Sequence, residues 1–248
     1  MSIKLILPMI SAFIMLIFVI LVLKRYIKRR DPHYLYWGIG LAMWDISSFA
    51  GSYLMLAWNR WVFLVWYLFG AALNAAWIGH GTVSLLYVRQ RVRPLTILLV
   101  LGSLIACALM TQVIPSLQVS QFTTDVPISE QYRFIMPSAT GGATIRLLTP
   151  LFNTYGLTTI VGGALWSSYL FWRNREMPNL VIGNILIAAG ALVMGSASLL
   201  TRLGYVSLLY LGEILAASLM FAGFLVNAKP QRVKQIPVPA LAPHHQKN

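Results

Sequence analysis

Three ionisable side chains stand inside long apolar stretches of this 248-residue sequence: Asp45, His80 and Glu213. Ionisable groups within a membrane span are costly, and they usually face the interior of the helix bundle. No Lys or Arg lies in the middle of these stretches, so neither carboxyl group has an obvious counter-charge, and burial then favours the protonated acid. The two acids point to a proton- or cation-coupled site, whereas His80 alone is expected to make a structural hydrogen bond.

Polar neighbours extend this candidate site at helical spacing. Ser48 and Ser52 share a helix face with Asp45, and Tyr210 shares one with Glu213. Such faces could line a cavity in the middle of the membrane, but small and polar residues also suit close helix packing. The candidate ligand-binding or proton-relay residues are Asp45, Ser48, Asn74, His80, Tyr210 and Glu213.

Complete catalytic or metal-binding motifs are missing from the sequence. His80 is the one histidine in an apolar stretch and Cys107 is the one cysteine, so neither a zinc site nor bis-histidine haem ligation can be built. Ser84 lies one turn from His80, but no oriented acid completes a triad. We therefore expect no catalytic residue, no metal and no cofactor, and a role other than catalysis is favoured.

The composition is that of a membrane protein. Hydrophobic residues make up 58% of the chain and charged residues only 10%, with a mean hydropathy of +0.72, whereas soluble domains carry about 25% charged residues. A spanning helix needs about 20 apolar residues. Stretches of this kind run over 3–24, 35–57, 61–87, 94–114, 148–172, 179–201 and 205–228. The prediction is an all-α membrane domain over residues 1–228 with seven transmembrane helices.

The basic residues predict the orientation. The net charge of +13 could indicate nucleic acid, but the charges lie in short clusters between the apolar stretches, as membrane topology signals do. Of the 19 Lys and Arg residues, 14 fall on the side that holds the cluster at 24–30 and the C-terminal tail. The positive-inside rule puts that side in the cytoplasm and the N-terminus outside. The expected partner is the lipid bilayer of the cell membrane, and no nucleic acid is expected.

Two segments are expected to lie outside the membrane. Residues 115–147 form a predicted external loop, which is either a lid over the external face or a solvated connector. Residues 229–248 are rich in proline and are predicted to be a disordered cytoplasmic tail. The first stretch has its basic cluster after it, the reverse of a signal peptide, so it is interpreted as an uncleaved span.

Helices 5–7 of the predicted set echo helices 1–3. Arg60 precedes the third helix with Tyr67 seven residues later, and Arg202 precedes the seventh helix with Tyr210 eight residues later. Three helices, one connecting helix and three more helices would give a parallel repeat about an axis along the membrane normal. The alternative is that membrane helices are built from few residue types, so that short matches between them arise by chance.

Three short segments carry a resemblance to other sequences. They are Trp66-Tyr67-Leu68-Phe69-Gly70-Ala71 with Gly81-Thr82 and Leu85-Leu86, Asn184-Ile185-Leu186-Ile187-Ala188-Ala189-Gly190, and Phe221-Ala222-Gly223-Phe224-Leu225-Val226. In these segments the chain resembles a group of bacterial seven-helix membrane proteins of unassigned function. The resemblance covers most of the chain except the external loop and the tail, and it implies a seven-helix fold without implying an activity.

Other seven-helix families are similar in layout alone. Rhodopsins carry retinal on a lysine of the seventh helix, and the seventh stretch here has no lysine before Lys229. The three-plus-one-plus-three order resembles SWEET-type sugar transporters, although their Pro-Gln loop signature is missing. Seven-helix sensor domains of histidine kinases are similar in layout as well.

The sequence leaves three functions open. The first is a protein that binds or transports a small solute at a midplane site between two three-helix bundles, near Asp45, Asn74 and Glu213. The second is a receptor-like sensor that signals to a separate cytoplasmic protein partner. The third is a membrane-embedded enzyme acting on lipid, which the residues favour least because no nucleophile, base or metal set is present.

Overall fold

The computed structural model describes residues 3–136, 142–174, 177–202 and 207–228. Within these ranges the protein is helical, and none of the described residues belongs to a β-strand. The helices there are α1 (Ile3–Arg29), α2 (Pro32–Leu54), α3 (Arg60–Val65), α4 (Asn74–Leu86), α5 (Arg89–Val113), α6 (Ile128–Ile135), α7 (Gly142–Arg173), α8 (Pro178–Arg202) and α9 (Ser207–Asn227). The all-α prediction is confirmed for these residues.

Five helical segments in the described part of the chain are long and apolar enough to cross a membrane. They are Met9–Arg29, Arg60–Leu86, Arg89–Ser116, Pro178–Thr201 and Leu208–Asn227. Their lipid-compatible surface is visible in the packing, because large apolar side chains such as Phe13 and Leu104 are each 61% exposed. Hydrocarbon is the solvent that suits such a surface, so the protein is a multi-pass membrane protein by composition and by the placement of its apolar side chains.

Six long helices close into a ring. α1 packs against α2, α2 against α4, α4 against α7, α7 against α8, α8 against α9, and α9 against α1. α5 packs against α4 and α7. The ring brings α2 and α9 to the two flanks of α1, and it places the polar positions of α2, α4, α7, α8 and α9 around a common interior.

Glycine permits the close crossing of α4 and α7. A Cβ atom added at Gly156 would overlap the backbone carbonyl group of Ala75, and one added at Gly79 would lie 2.8 Å from the Gly156 Cα atom. Small residues at membrane helix crossings let the backbones approach each other. Alanine at either position would therefore push the two helices apart.

The third predicted span is one continuous helix with a π-helical segment, Trp66–Leu73, between α3 and α4. Asn59 begins it, because its side-chain oxygen accepts hydrogen bonds from the backbone N–H groups of Trp61 at 2.9 Å and Val62 at 3.2 Å. Ser47 Oγ donates to the Trp66 carbonyl oxygen at 3.1 Å. Segments of this kind widen the helix and are frequent at functional sites.

The largest differences between the helix boundaries and the predicted spans are in three places. The first helix ends at Arg29 rather than at 24. The fourth helix begins at Arg89 rather than at 94, and Pro94 lies inside it beyond the first turn, where proline lacks the N–H that would bond the carbonyl oxygen of Gln90. The predicted external loop is partly helical, because it contains α6, and α7 begins at Gly142 rather than at 148. Residues 137–141 and the predicted tail at 229–248 lie outside the described residues.

Candidate functional site

A cavity of about 470 Å³ lies among α2, the π-helical segment, α4, α6, α7, α8 and α9. Its walls combine aromatic rings, hydroxyl groups, amide groups and one carboxyl group. The polar and aromatic side chains that line it are Trp44, Ser47, Ser48, Trp66, Tyr67, Asn74, Ser129, Tyr132, Thr149, Asn153, Thr154, Ser198, Thr201, Tyr210 and Glu213. A mostly apolar pocket with a few convergent polar groups is the usual form of a small-molecule site.

Glu213 is the carboxyl group in this wall, and α2 holds it in place. Trp44 donates a hydrogen bond through Nε1 to Glu213 Oε1 at 3.0 Å, and Ser48 Oγ donates to the same oxygen. The Ser11 hydroxyl lies near the carboxyl group but outside hydrogen-bond geometry. Glu213 itself is only 8% exposed. These two donors hold the orientation of the carboxyl group, because a rotation that broke the bonds would leave buried polar groups without partners, which is costly.

An aromatic cluster forms a second part of the wall. The ring centroids of Trp66 and Tyr132 are 5.9 Å apart, those of Tyr67 and Tyr132 are 6.0 Å apart, and those of Trp66 and Tyr67 are 6.3 Å apart. The Tyr67 hydroxyl also lies 3.1 Å from Thr149 Oγ1 on α7. Rings from the π-helical segment and from α6 therefore meet at the cavity.

α6 and the residues before it are held together by hydrogen bonds, and α6 forms part of the cavity wall. Gln131 organises it, because its Nε2 donates to the Thr123 carbonyl oxygen at 2.7 Å and its Oε1 accepts from the Thr123 N–H at 2.9 Å. Ser129 and Tyr132 of α6 line the cavity, and Ser129 Oγ lies 3.5 Å from the Tyr210 hydroxyl. The segment predicted as either a lid or a connector thus contributes directly to the walls.

Four of the residues predicted from the sequence lie together at this cavity: Ser48, Asn74, Tyr210 and Glu213. Asn74 turns part of its amide group to its own helix, because its Oδ1 accepts a hydrogen bond from the Ala75 N–H at 2.6 Å. Asn153, which the sequence did not single out, donates from Nδ2 to the Ala71 carbonyl oxygen at 3.0 Å. Whether these residues bind a ligand stays a prediction.

Asp45 is not among the residues that line the cavity. It is buried, and its Oδ1 has no hydrogen-bond partner within the described part of the chain. The predicted polar face around it is used differently, because Ser48 donates to Glu213 and Ser52 Oγ donates to the Ser48 carbonyl oxygen at 3.0 Å. The serines expected to serve Asp45 therefore serve Glu213 and the α2 backbone.

His80 is fully buried and lies in a separate polar cluster. Its Nδ1 is 2.9 Å from the Tyr155 hydroxyl, and its Nε2 is 2.8 Å from Thr96 Oγ1. Donation of the Thr96 hydroxyl proton to the Val92 carbonyl oxygen at 3.1 Å favours the tautomer in which Nε2–H donates to Thr96 and Tyr155 donates to Nδ1. Both ring nitrogens therefore have hydrogen-bond partners, one on α5 and one on α7.

The aromatic residues of the site were missed by reasoning from the sequence. Trp44, Trp66 and Tyr132 resemble the aromatic residues that anchor helices at membrane surfaces. One signal was available for Trp44, because it stands beside Asp45 in the middle of its helix rather than at an end. The facing direction of each ring depends on helix rotation, which a single sequence does not give.

The cavity wall presents polar and aromatic groups to any ligand that enters it. No group of three His, Cys, Asp or Glu side chains that could hold a metal ion occurs among the described residues. Ser48 has a carboxyl neighbour but no histidine beside it at the cavity, so a nucleophilic triad cannot be formed there. One carboxyl group, several hydroxyl groups, two amide groups and aromatic faces line the cavity among the described residues.

No protein family, curated protein or solved structure matches this chain. The resemblance to bacterial seven-helix membrane proteins therefore stays a prediction.

Proposed function

We propose that this chain is a seven-helix membrane protein that binds a small solute in the cavity around Glu213 and carries it across the membrane. The observation that carries this proposal is the cavity of about 470 Å³ with one buried carboxyl group in its wall. A buried acid without a counter-charge is expensive to retain for packing alone. Binding of a solute would explain the cavity, the buried carboxyl group and the polar side chains together.

The two further spans are α2 and α7. At 1.5 Å per residue, the 23 residues of α2 extend about 35 Å and the 32 residues of α7 about 48 Å, enough to cross a bilayer. α2 and α7 are less apolar than the five segments named above, because they supply polar groups to the cavity, such as Ser47 on α2 and Asn153 on α7. A helix that faces a polar interior carries polar residues on that side, so its mean apolar character falls without a loss of spanning length.

The two three-helix bundles correspond to α1, α2 and α4 on one side and α7, α8 and α9 on the other. Neighbours follow the chain order within each group, and the groups meet at α4 with α7 and at α9 with α1. Each group contributes a tyrosine near the cavity, Tyr67 from the π-helical segment before α4 and Tyr210 from α9. These relations support a parallel repeat, and superposition of Tyr67 on Tyr210 and of the Arg60 and Arg202 backbones is its check.

Cysteine accessibility tests the proposal. Cys107 is the one cysteine of the chain, so Cys107→Ala gives a background without thiols. In that background Ser198→Cys puts one thiol at the cavity, and Leu192→Cys puts one on the outer face of the same helix, where Leu192 is 48% exposed and does not line the cavity. Each variant is treated in proteoliposomes with a membrane-impermeant thiol reagent from one side and then from the other.

A thiol reacts as the thiolate, which requires water. The cysteine at 198 should react from both sides if the cavity opens alternately, and the cysteine at 192, placed in lipid, should not react. Reaction at 198 from one side alone would favour the receptor-like sensor. A cysteine at 198 that stays unreactive from both sides would overturn the proposal, because a dry cavity cannot exchange a solute with water.

A further inference from the structure

The charge of the cavity wall limits what the cavity can accept. Among its described lining residues Glu213 is the one charged side chain, and Lys, Arg and His do not occur there. An ionised carboxyl group buried without a positive partner is strongly unfavourable. A ligand with a positive charge would supply that partner, whereas an anion or a zwitterion would leave its own negative group unpaired.

The hydrogen bonds of Glu213 leave one oxygen for such a ligand. Trp44 and Ser48 both donate to Oε1. No described residue meets hydrogen-bond geometry at Oε2, and this includes the Ser11 hydroxyl, which lies near the carboxyl group. The two donors fix the plane of the carboxyl group while Oε2 stays available. This is the arrangement expected where a carboxyl group receives an N–H donor or an alkylated ammonium group from a ligand.

The aromatic wall favours an organic cation over a metal ion. Five aromatic side chains line the cavity: Trp44, Trp66, Tyr67, Tyr132 and Tyr210. Aromatic faces attract ammonium groups electrostatically, and clusters of them recognise quaternary ammonium ligands. Hard metal ions require several oxygen ligands with more than one carboxylate, and the described lining residues provide one carboxylate.

We infer that the cavity binds a small organic monocation, with its ammonium group between Glu213 and the aromatic wall. This inference rests on the proposed function and names the substrate class of the same site. The carboxyl group supplies the charge, and the rings supply an apolar enclosure for the alkyl groups that surround the nitrogen. The hydroxyl groups of the wall could form hydrogen bonds with a neutral polar group on the same ligand.

A pair of probes that differ in charge alone tests the inference. The first probe is choline, and the second is its neutral carbon isostere, in which a tert-butyl group replaces the trimethylammonium group. Binding of each to the full chain in lipid nanodiscs is measured by titration calorimetry. We expect choline to bind more tightly than the isostere by about tenfold or more, because the charge contact with Glu213 and the cation–π contacts with the rings are open to choline alone.

Glu213→Gln keeps the size of the side chain and removes its charge, so it should weaken choline binding by about tenfold or more, because the buried cation loses its counter-charge, while leaving the isostere unchanged. Asp45→Asn is the matched control, because Asp45 is a buried carboxyl group that does not line the cavity. Its affinity for choline should equal that of the unaltered protein. The comparison of the two probes needs no variant, so it remains decisive if Glu213→Gln does not fold.

Equal binding of choline and the isostere, or the absence of choline binding, would overturn the inference. Choline binding that survives Glu213→Gln unchanged would overturn it as well. Neither result touches the accessibility of the cysteine at 198. A cavity that reacts with thiol reagent but does not prefer the cation would therefore retain the proposed function and lose the substrate class.

Discussion

Trp44 on α2 donates a hydrogen bond from Nε1 to Glu213 Oε1 on α9 at 3.0 Å, across 169 positions of the sequence. α2 and α9 both pack against α1 in the ring. The hydrogen bond from Trp44 joins these two helices directly through their side chains. Ser48 donates to the same oxygen from the next turn of α2. The carboxyl group therefore links α2 to α9 and is also part of the cavity wall.

Trp44→Phe should lower the free energy of unfolding by about 0.5–1.5 kcal/mol, because it removes a buried hydrogen bond and keeps most of the ring. Equilibrium unfolding in mixed detergent micelles measures the change. In a Glu213→Ala background the effect of Trp44→Phe should shrink toward zero, since the acceptor is gone. Trp166→Phe is the control, because Trp166 is 57% exposed on α7 and should change stability little. Equal losses for the two tryptophans would contradict the link.

Gly156→Ala should destabilise the protein by about 1–3 kcal/mol, the usual cost of overpacking. The added Cβ atom would overlap the Ala75 carbonyl group, which belongs to a helix backbone and cannot rotate away. Gly162 stands on the same helix with nothing within 4 Å of an added Cβ atom. Gly162→Ala should therefore be neutral or stabilise by up to about 1 kcal/mol through helix propensity. Unfolding midpoints of both variants give the comparison, and a tolerated alanine at 156 would show that the α4–α7 crossing is looser than described.

The helices were predictable because lipid allows few alternatives. An apolar run of about 20 residues must satisfy its own backbone hydrogen bonds in hydrocarbon, and a helix does so. The same reasoning failed for α6 and for the first turn of α7, which are more polar. Arg146 Nη1 on α7 donates to the carbonyl oxygen of Met136, the residue after α6, at 3.2 Å, and no local sequence pattern predicts such a contact.

The site was predictable as a set of polar residues but not as a geometry. Glu213 and Ser48 stood out because polar groups are rare inside apolar helices. The sequence assigned Ser48 to Asp45, since the two share a face of α2, yet Ser48 bonds to Glu213 and it is Trp44, the neighbour of Asp45, that meets the same carboxyl group. A rotation of one helix by a single residue decides between Trp44 and Asp45, and tertiary packing alone sets that rotation.

A topology test follows from the distribution of the basic residues. A reporter fused after Lys234 should be active in the cytoplasm, and a reporter inserted at Asp125, between the 3-10 turn at Val119–Gln121 and α6, should be accessible from outside. Seven spans put these two positions on opposite sides of the membrane. Reporters on the same side would remove one span from the count, and a reversed pair would overturn the orientation.

His80 is expected to act in stability rather than in solute binding. His80→Ala leaves the Tyr155 hydroxyl without its partner and deprives Thr96 of a donor, so the free energy of unfolding should fall by about 1–3 kcal/mol. Tyr155→Phe removes one of the two bonds and should cost about 0.5–1.5 kcal/mol. Tyr169→Phe on the same helix is the control, because Tyr169 is 45% exposed and its change should be close to zero.

The binding measurement separates this role from a proton relay. His80 does not line the cavity, so the His80→Ala protein that remains folded should bind choline with the affinity of the unaltered protein. Its loss should appear in the unfolding curve alone. A variant of normal stability whose choline affinity or solute flux is lost would show that His80 communicates with the cavity, and the hydrogen bonds to Tyr155 and Thr96 would then belong to the transport path.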